Sequence, residues 1–227
     1  MIAAQQVLNL PHKPTYGAGD FVVSATNMVA YRWIQSWPEW SNHCLILYGP
    51  KGCGKTHLAE IWKSRAGGLS VTFEQLQTEN IDELCQQHKA LLVEDIPAHF
   101  DETLLFHLYN AVKQADGYLL ITSETPPSHW SLTLPDLRSR MQGALWAEIE
   151  PADDYLLRAM MRKVFSDEQV MVPDAVLEYL LNHHERSFAQ LMKAVREINT
   201  YAMATKRRIT LPLVRQVLTP HGVENGF

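Results

Sequence analysis

Short, uninterrupted apolar runs alternate with stretches of helical period through the first two-thirds of the chain. Cys44-Leu45-Ile46-Leu47-Tyr48 reads as a buried strand, and the glycine-rich turn after it leads into a helix from Lys55 to Arg65. Leu69 to Phe73, Ala90 to Val93, Tyr118 to Thr122 and Ala144 to Ile149 read as four further strands. Ile81 to Gln87 and Glu102 to Ala115 between them have helical spacing. Strands that are apolar throughout, rather than alternating, are covered on both faces, and helical connections between them predict a five-stranded parallel sheet in an α/β unit.

The pattern changes after Pro151. Ala152 to Phe165, Pro173 to Leu181, Ser187 to Thr205 and Leu211 to Leu218 all carry amphipathic helical spacing, with Pro173 and Pro212 near helix starts, where proline is tolerated. No strand-like run competes. The reading is therefore an α/β domain over residues 13–150, a small all-helical domain over 151–227, and a short N-terminal segment, 1–12.

Composition narrows the class without deciding it. Of 227 residues, 46% are hydrophobic and 20% charged, which excludes wholesale disorder. A net charge of −5 gives the chain no general attraction to nucleic acid or anionic membrane. Cys44, Cys53 and Cys85 are too few and too scattered for a disulfide framework or a zinc site. The N-terminus has no basic-then-apolar leader, and no apolar stretch approaches 18 residues, so a cytoplasmic protein without a membrane span is expected.

The chemistry concentrates after the first strand. Gly49-Pro50-Lys51-Gly52-Cys53-Gly54-Lys55-Thr56 fits G-x-x-x-x-G-K-[ST], with a strand before it and a helix after it. Glycines let backbone N–H groups turn toward phosphate oxygens, and the helix N-terminus adds the positive end of its dipole. Lys55 supplies a charge for the β- and γ-phosphates, and the Thr56 hydroxyl can ligate Mg²⁺. Leu91-Leu92-Val93-Glu94-Asp95 ends a strand in two carboxylates. Glu94 could reach the metal, directly or through water, and Asp95 could polarise the attacking water.

Gly54-Lys55-Thr56-His57-Leu58, Leu92-Val93-Glu94-Asp95-Ile96 and Leu137-Arg138-Ser139-Arg140, in that order, resemble the AAA+ module of the bacterial replication initiator DnaA. The resemblance runs from Asp20 to Arg215 and is narrowest with the DnaA-related regulators of the Hda type, in their alphaproteobacterial form. It implies a AAA+ P-loop core with a C-terminal helical lid. The resemblance takes in neither the initiator's helix-turn-helix domain nor its long N-terminal region, and neither is expected here. Gln5-Gln6-Val7-Leu8-Asn9-Leu10 instead resembles the sliding-clamp-binding motif of Hda proteins, with Gln5, Leu8 and Leu10 fitting and Gln6 departing from the usual leucine. Such segments act as short extended anchors whose apolar side chains fill a preformed pocket.

Carried over residue by residue, the resemblance makes Thr122 a polar sensor facing the γ-phosphate and Arg186 a lid contact to the phosphates. Arg140 matches the arginine finger, which completes a neighbouring subunit's site in trans, whereas Arg138 is not the finger position and reads as a surface residue. Phe21, Val22 and Asn27 lie where the family wraps adenine, largely through backbone and apolar contact. His57 belongs to the family signature, with a packed or capping role favoured over a catalytic one. Glu94 replaces the usual aspartate at the metal position, which puts the hydrolytic geometry of Mg²⁺ in question.

The implied protein holds ADP or ATP and has weak or no turnover of its own. It docks on the β sliding clamp of DNA polymerase III and stimulates ATP hydrolysis on DnaA, so limiting initiation. DNA is reached only through the clamp, and the resemblance leaves room for a homodimer. Three rivals stay open: an autonomous AAA+ ATPase resembling a helicase loader or clamp loader, a small-molecule kinase, and a direct DNA-binding factor. His183-His184 reads as no metal site, because adjacent helical positions diverge by about 100°. Lys206-Arg207-Arg208 reads as a solvated helix end, and Trp33, Trp37 and Trp40 as packing residues.

Overall fold

The computed structural model describes residues 21–97, 99–183 and 188–218, with only the backbone of Ala189. They divide at Pro151 into two compact units.

In the first unit five parallel strands lie in the order β2-β3-β4-β1-β5: β1 (Cys44–Tyr48), β2 (Leu69–Val71), β3 (Ala90–Val93), β4 (Tyr118–Ser123) and β5 (Leu145–Glu148). Helices α1 (Met28–Ser36), α2 (Lys55–Ala66), α3 (Ile81–Gln87), α4 (Glu102–Gln114) and α5 (Pro135–Gly143) connect and cover them. All five residues of β1 and all four of β3 are buried, as expected for strands covered on both faces.

The period-2 alternation of the strands sorts their side chains into two cores. Cys44, Ile46, Leu91, Val93, Leu119 and Ile121 pack with Leu105, Leu108, Tyr109, Leu137 and Met141 of α4 and α5. Leu45, Leu47, Leu92 and Leu120 point the other way, against Ile34 of α1 and Leu58, Ile61 and Trp62 of α2. The phosphate-loop helix therefore covers one face of the sheet, and the helix bearing Arg140 covers the other. Beside α1, Trp40 stacks on Trp62 and donates Nε1–H to Trp33 O at 2.7 Å, so the tryptophans are packing residues.

Two helices, α1 and α5, are not among the elements expected from the sequence. Each buries little: Ala30 and Ile34 in α1, Leu137 and Met141 in α5. Strand β2 stops at Val71, two residues before the expected end at Phe73. Thr72 N donates to Gln75 Oε1 at 2.8 Å and Gln75 N to Thr72 Oγ1 at 3.1 Å, a reciprocal pairing that turns the chain into the short 3₁₀ segment Gln75–Gln77.

The second unit is helical: α6 (Asp154–Asp167), α7 (Asp174–His183), α8 (Phe188–Thr205) and α9 (Leu211–Leu218). Asp153 caps α6 by accepting Leu156 N at 2.7 Å. Leu157, Met161, Phe165, Leu177, Leu180, Val195, Ile198 and Leu213 form its core, and Arg158–Glu178 and Arg162–Asp174 ion pairs join α6 to α7. His183 stacks on Tyr179 at 4.2 Å between centroids. Among the described residues no group of three or more His, Cys, Asp or Glu side chains could hold a metal, and no helix is long and apolar enough to cross a membrane.

Candidate nucleotide site

The loop after β1 is shaped by what its glycines avoid. A Cβ on Gly49 would lie 2.1 Å from Ile149 O, so the chain leaving β1 can pass β5 only as glycine. Gly54, at φ +108°, occupies backbone space that L side chains rarely adopt. It is also the N-cap of α2 and supplies no side-chain acceptor, whereas α3, α4 and α6 are capped by Asn80, Asp101 and Asp153. The first N–H groups of α2 are thus left without a capping side chain, which is the arrangement an anion at a helix N-terminus requires.

Lys55 lies beneath this loop, 5% exposed, its Nζ donating to Gly49 O at 2.9 Å and Pro50 O at 3.1 Å. Both acceptors are neutral, so the ammonium charge remains available to an incoming phosphate. Cys53 packs its sulfur against Gly49, and burial pushes its thiol upward despite the nearby Lys55, which keeps it protonated and poorly nucleophilic. Lys51 is solvent-exposed and pairs with Glu124 at 3.3 Å.

The acids after β3 stand beside the loop. Thr56 lies beside Glu94 and favours its charged form, but the Glu94 carboxyl is nevertheless raised above the usual range, chiefly by burial and then by Glu60 and Asp95. Asp95 has φ +48°, and its N–H is held by Thr122 Oγ1 at 2.8 Å. Ile96 N donates to Thr122 O at 3.0 Å, and Gly49 N to Ser123 O at 3.2 Å. Since β4 lies between β1 and β3, its end is joined both to the phosphate loop and to the acid-bearing turn. Glu94 and Asp95 also border an open cleft of about 700 Å³ with Phe73, Phe100 and Asp101.

Phe21 lies against α2. Its ring meets His57 edge-on at 5.2 Å, stacks on Tyr31 at 5.8 Å, and comes within 3.7 Å of a Cβ built on Gly54. The Asn27 amide is occupied by its own loop, donating to Val22 O at 3.0 Å and accepting Ser24 N at 2.9 Å. It orders residues 22–27, which is a positioning task. Gln5, Leu8, Leu10 and Arg186 lie outside the described residues.

On the opposite face of the sheet, Arg140 is exposed on α5, its guanidinium 5.9 Å from the Tyr109 ring centroid. Among the described residues it makes no hydrogen bond or ion pair. Arg138, two residues earlier, is exposed too but donates to Leu132 O, so its guanidinium is tied down. Sequence reasoning missed Glu102, whose carboxylate accepts Thr133 and Leu134 N–H groups ahead of α5.

Five parallel strands with β4 between the strand before the glycine-rich loop and the acid strand, helices on both faces and a helical unit after β5 have the fold of a AAA+ module. Residues 153–218 match the family described as Hda, lid domain. DnaA of Caldanaerobacter subterraneus subsp. tengcongensis is 29% identical over 90% of this chain and 52% of its own length. DnaA of Clavibacter sepedonicus is 25% identical over 90% and 48%. The chain thus spans about half the length of the curated relatives it matches.

Domain III of Thermotoga maritima DnaA superposes with a TM-score of 0.75 at 24% identity, over 92% of this chain and 98% of that one. A DnaA bound to AMPPCP and single-stranded DNA gives 0.71 at 19% identity, over 86% and 69%. The Holliday-junction branch-migration motor RuvB of Thermotoga maritima gives 0.63 at 18%, over 78% and 61%. Residues 153–218 thus resemble the Hda lid domain, and the chain as a whole is similar to the replication initiator DnaA, with the fold of its domain III.

Proposed function

We propose that this protein is a DnaA-related regulator of chromosomal replication: it holds an adenine nucleotide and contributes Arg140, in trans, to ATP bound on DnaA. The observation that carries this reading is the pair of arginines on α5. Arg138 is spent on Leu132 O, whereas Arg140 is exposed and, among the described residues, rests only on an aromatic ring. A guanidinium with no carboxylate partner keeps its charge for the equatorial oxygens of a transferring phosphoryl group. A finger of this kind is worth about 10³–10⁵ in rate, or about 4–7 kcal/mol of barrier.

In the protein's own site the loop amides and Lys55 bind the phosphates, and Phe21 and the Val22–Asn27 turn form one wall. Thr56 and Glu94, which lie beside one another, are the residues that would hold Mg²⁺, and such an ion commonly takes only one or two protein oxygens. When bound, the ion neutralises charge on the β- and γ-oxygens. Asp95 is the candidate to orient water, and Thr122 fixes the turn that carries it. A resident ADP fits a regulator whose own site lacks a neighbour's finger.

Gln5, Leu8 and Leu10 serve in this proposal as the anchor for the sliding clamp, which raises the effective concentration of a weak AAA+ contact near DNA. The test is hydrolysis of ATP on DnaA in the presence of clamp-loaded DNA, with and without this protein. Stimulation that requires both this protein and the clamp is expected. Rapid ATP turnover by the protein alone, with no effect on DnaA, would select the autonomous ATPase instead.

A further inference from the structure

Helix α5 begins without a cap of its own. Its N-cap residue, Leu134, is apolar, and Pro135 at the next position has no N–H. The acceptor comes from another helix. Glu102 Oε2 accepts Leu134 N at 2.7 Å, and both carboxylate oxygens accept Thr133 N, at 2.9 and 3.0 Å. The Thr133 hydroxyl donates to Oε1 at 3.0 Å.

Glu102 is itself in the first turn of α4, where Asp101 already caps by accepting Thr103 and Leu104 N–H groups. Its negative charge therefore serves the positive ends of two helices at once. The Thr133 and Leu134 N–H groups hold the carboxyl below the ordinary range, with the Thr133 hydroxyl and Arg138 adding to the effect.

Seven residues further along α4, two turns on and hence on the same face, Tyr109 underlies the Arg140 guanidinium. Tyr109 is 4% exposed and its hydroxyl donates to Asn42 Oδ1 at 3.3 Å, so the ring is a fixed platform. One face of α4 thus meets α5 at its first turn, through Glu102, and at its last, through Tyr109.

We propose that Glu102 is a positioning residue for Arg140: by capping α5 from α4 it fixes the direction in which the finger helix presents its guanidinium. The inference rests on the reading of Arg140 as a trans-acting finger. It assigns to Glu102 no contact with nucleotide. Loosening the cap lets the first turn of α5 fray, and Arg140 then spends only part of its time in the productive pose.

The experiment measures hydrolysis of DnaA-bound ATP on clamp-loaded DNA, titrating the full-length protein as wild type and as Glu102→Ala, Glu102→Asp, Glu102→Gln and Arg140→Ala. Glu102→Asp keeps a carboxylate in the first turn of α4 but is one methylene too short for Thr133 and Leu134, so it decides the matter if the alanine variant folds poorly. The maximal stimulated rate is expected to fall about tenfold in Glu102→Ala and Glu102→Asp, with half-saturating concentration and ADP affinity changed less than about twofold. Glu102→Gln, which retains length and one acceptor oxygen, is expected to recover part of the rate. Full stimulation by Glu102→Asp overturns the proposal, as does a loss that appears only as weaker nucleotide binding. Full stimulation by Arg140→Ala instead overturns the reading of Arg140 itself, whatever the Glu102 variants do.

Discussion

Thr122 Oγ1 accepts the backbone N–H of Asp95 at 2.8 Å, and this one bond ties the end of β4 to a left-handed residue at the end of β3. A side chain proposed to sense phosphate is therefore also the clamp on the turn carrying a proposed catalytic carboxylate. Thr122→Val keeps the volume and removes the acceptor. It is expected to destabilise the fold by about 0.5–1.5 kcal/mol, the net worth of one hydrogen bond that is only partly buried. Urea denaturation measures the loss. An unchanged midpoint would show that Asp95 holds its conformation without the hydroxyl.

Gly49 is constrained by contact rather than by flexibility. Gly49→Ala drives a methyl group into Ile149 O, and a cost of about 1–3 kcal/mol is expected from overpacking, together with loss of nucleotide binding. Gly143, with nothing within 4 Å of a built Cβ and no left-handed backbone, is the control: Gly143→Ala should be neutral or stabilising by up to about 1 kcal/mol. Thermal melts and titration with a fluorescent ADP analogue separate the two.

Two carboxylates make opposite contributions to the pH dependence of stability. Glu94 is raised by burial, so the folded state binds its proton more tightly than the unfolded chain does. Its ionised form penalises folding at neutral pH, and the penalty disappears as pH falls below the unfolded value of about 4.3. Glu94→Gln is accordingly expected to melt above wild type at pH 7.5, with the difference closing on acidification.

Glu102 is lowered by the N–H groups of Thr133 and Leu134, so its contribution is stabilising above the unfolded value and is lost as pH falls through the folded one. Glu102→Gln should melt below wild type at pH 7, and the gap should close under acid. Melting curves across pH 3–8 would refute either assignment if the sign were reversed.

Arg140 and the N-terminal anchor are expected to fail separately. Arg140→Ala should abolish stimulation of DnaA while changing nucleotide affinity less than about twofold, because its partner phosphate belongs to another molecule. Gln5→Ala combined with Leu8→Ala should remove clamp binding and leave the melting temperature unchanged. Surface plasmon resonance on immobilised clamp, beside the hydrolysis assay, resolves the two defects; a collapse of nucleotide affinity in Arg140→Ala would make it a residue of the protein's own site.

The sheet, the helices α2, α3 and α4 and the glycine-rich loop are legible in the amino-acid order because each is a local pattern. Cys44–Tyr48 is apolar at every position, Lys55 and Thr56 follow glycines at a fixed spacing, and Leu92-Val93 runs directly into Glu94-Asp95. Burial on both faces and phosphate binding at a helix N-terminus each impose their residue types within a few positions. What tertiary structure alone decided involves groups distant in the chain. The cap of α5 comes from Glu102, more than thirty residues upstream. Arg140, over the Tyr109 ring, and Arg138, tethered to Leu132 O, differ in what the fold places beneath them. Asn27 is spent on its own loop, and Asp95 is held by a hydroxyl from the next strand. Hydrogen bonds and charges between elements depend on where the packed sheet brings them, and no periodicity along the chain encodes that meeting.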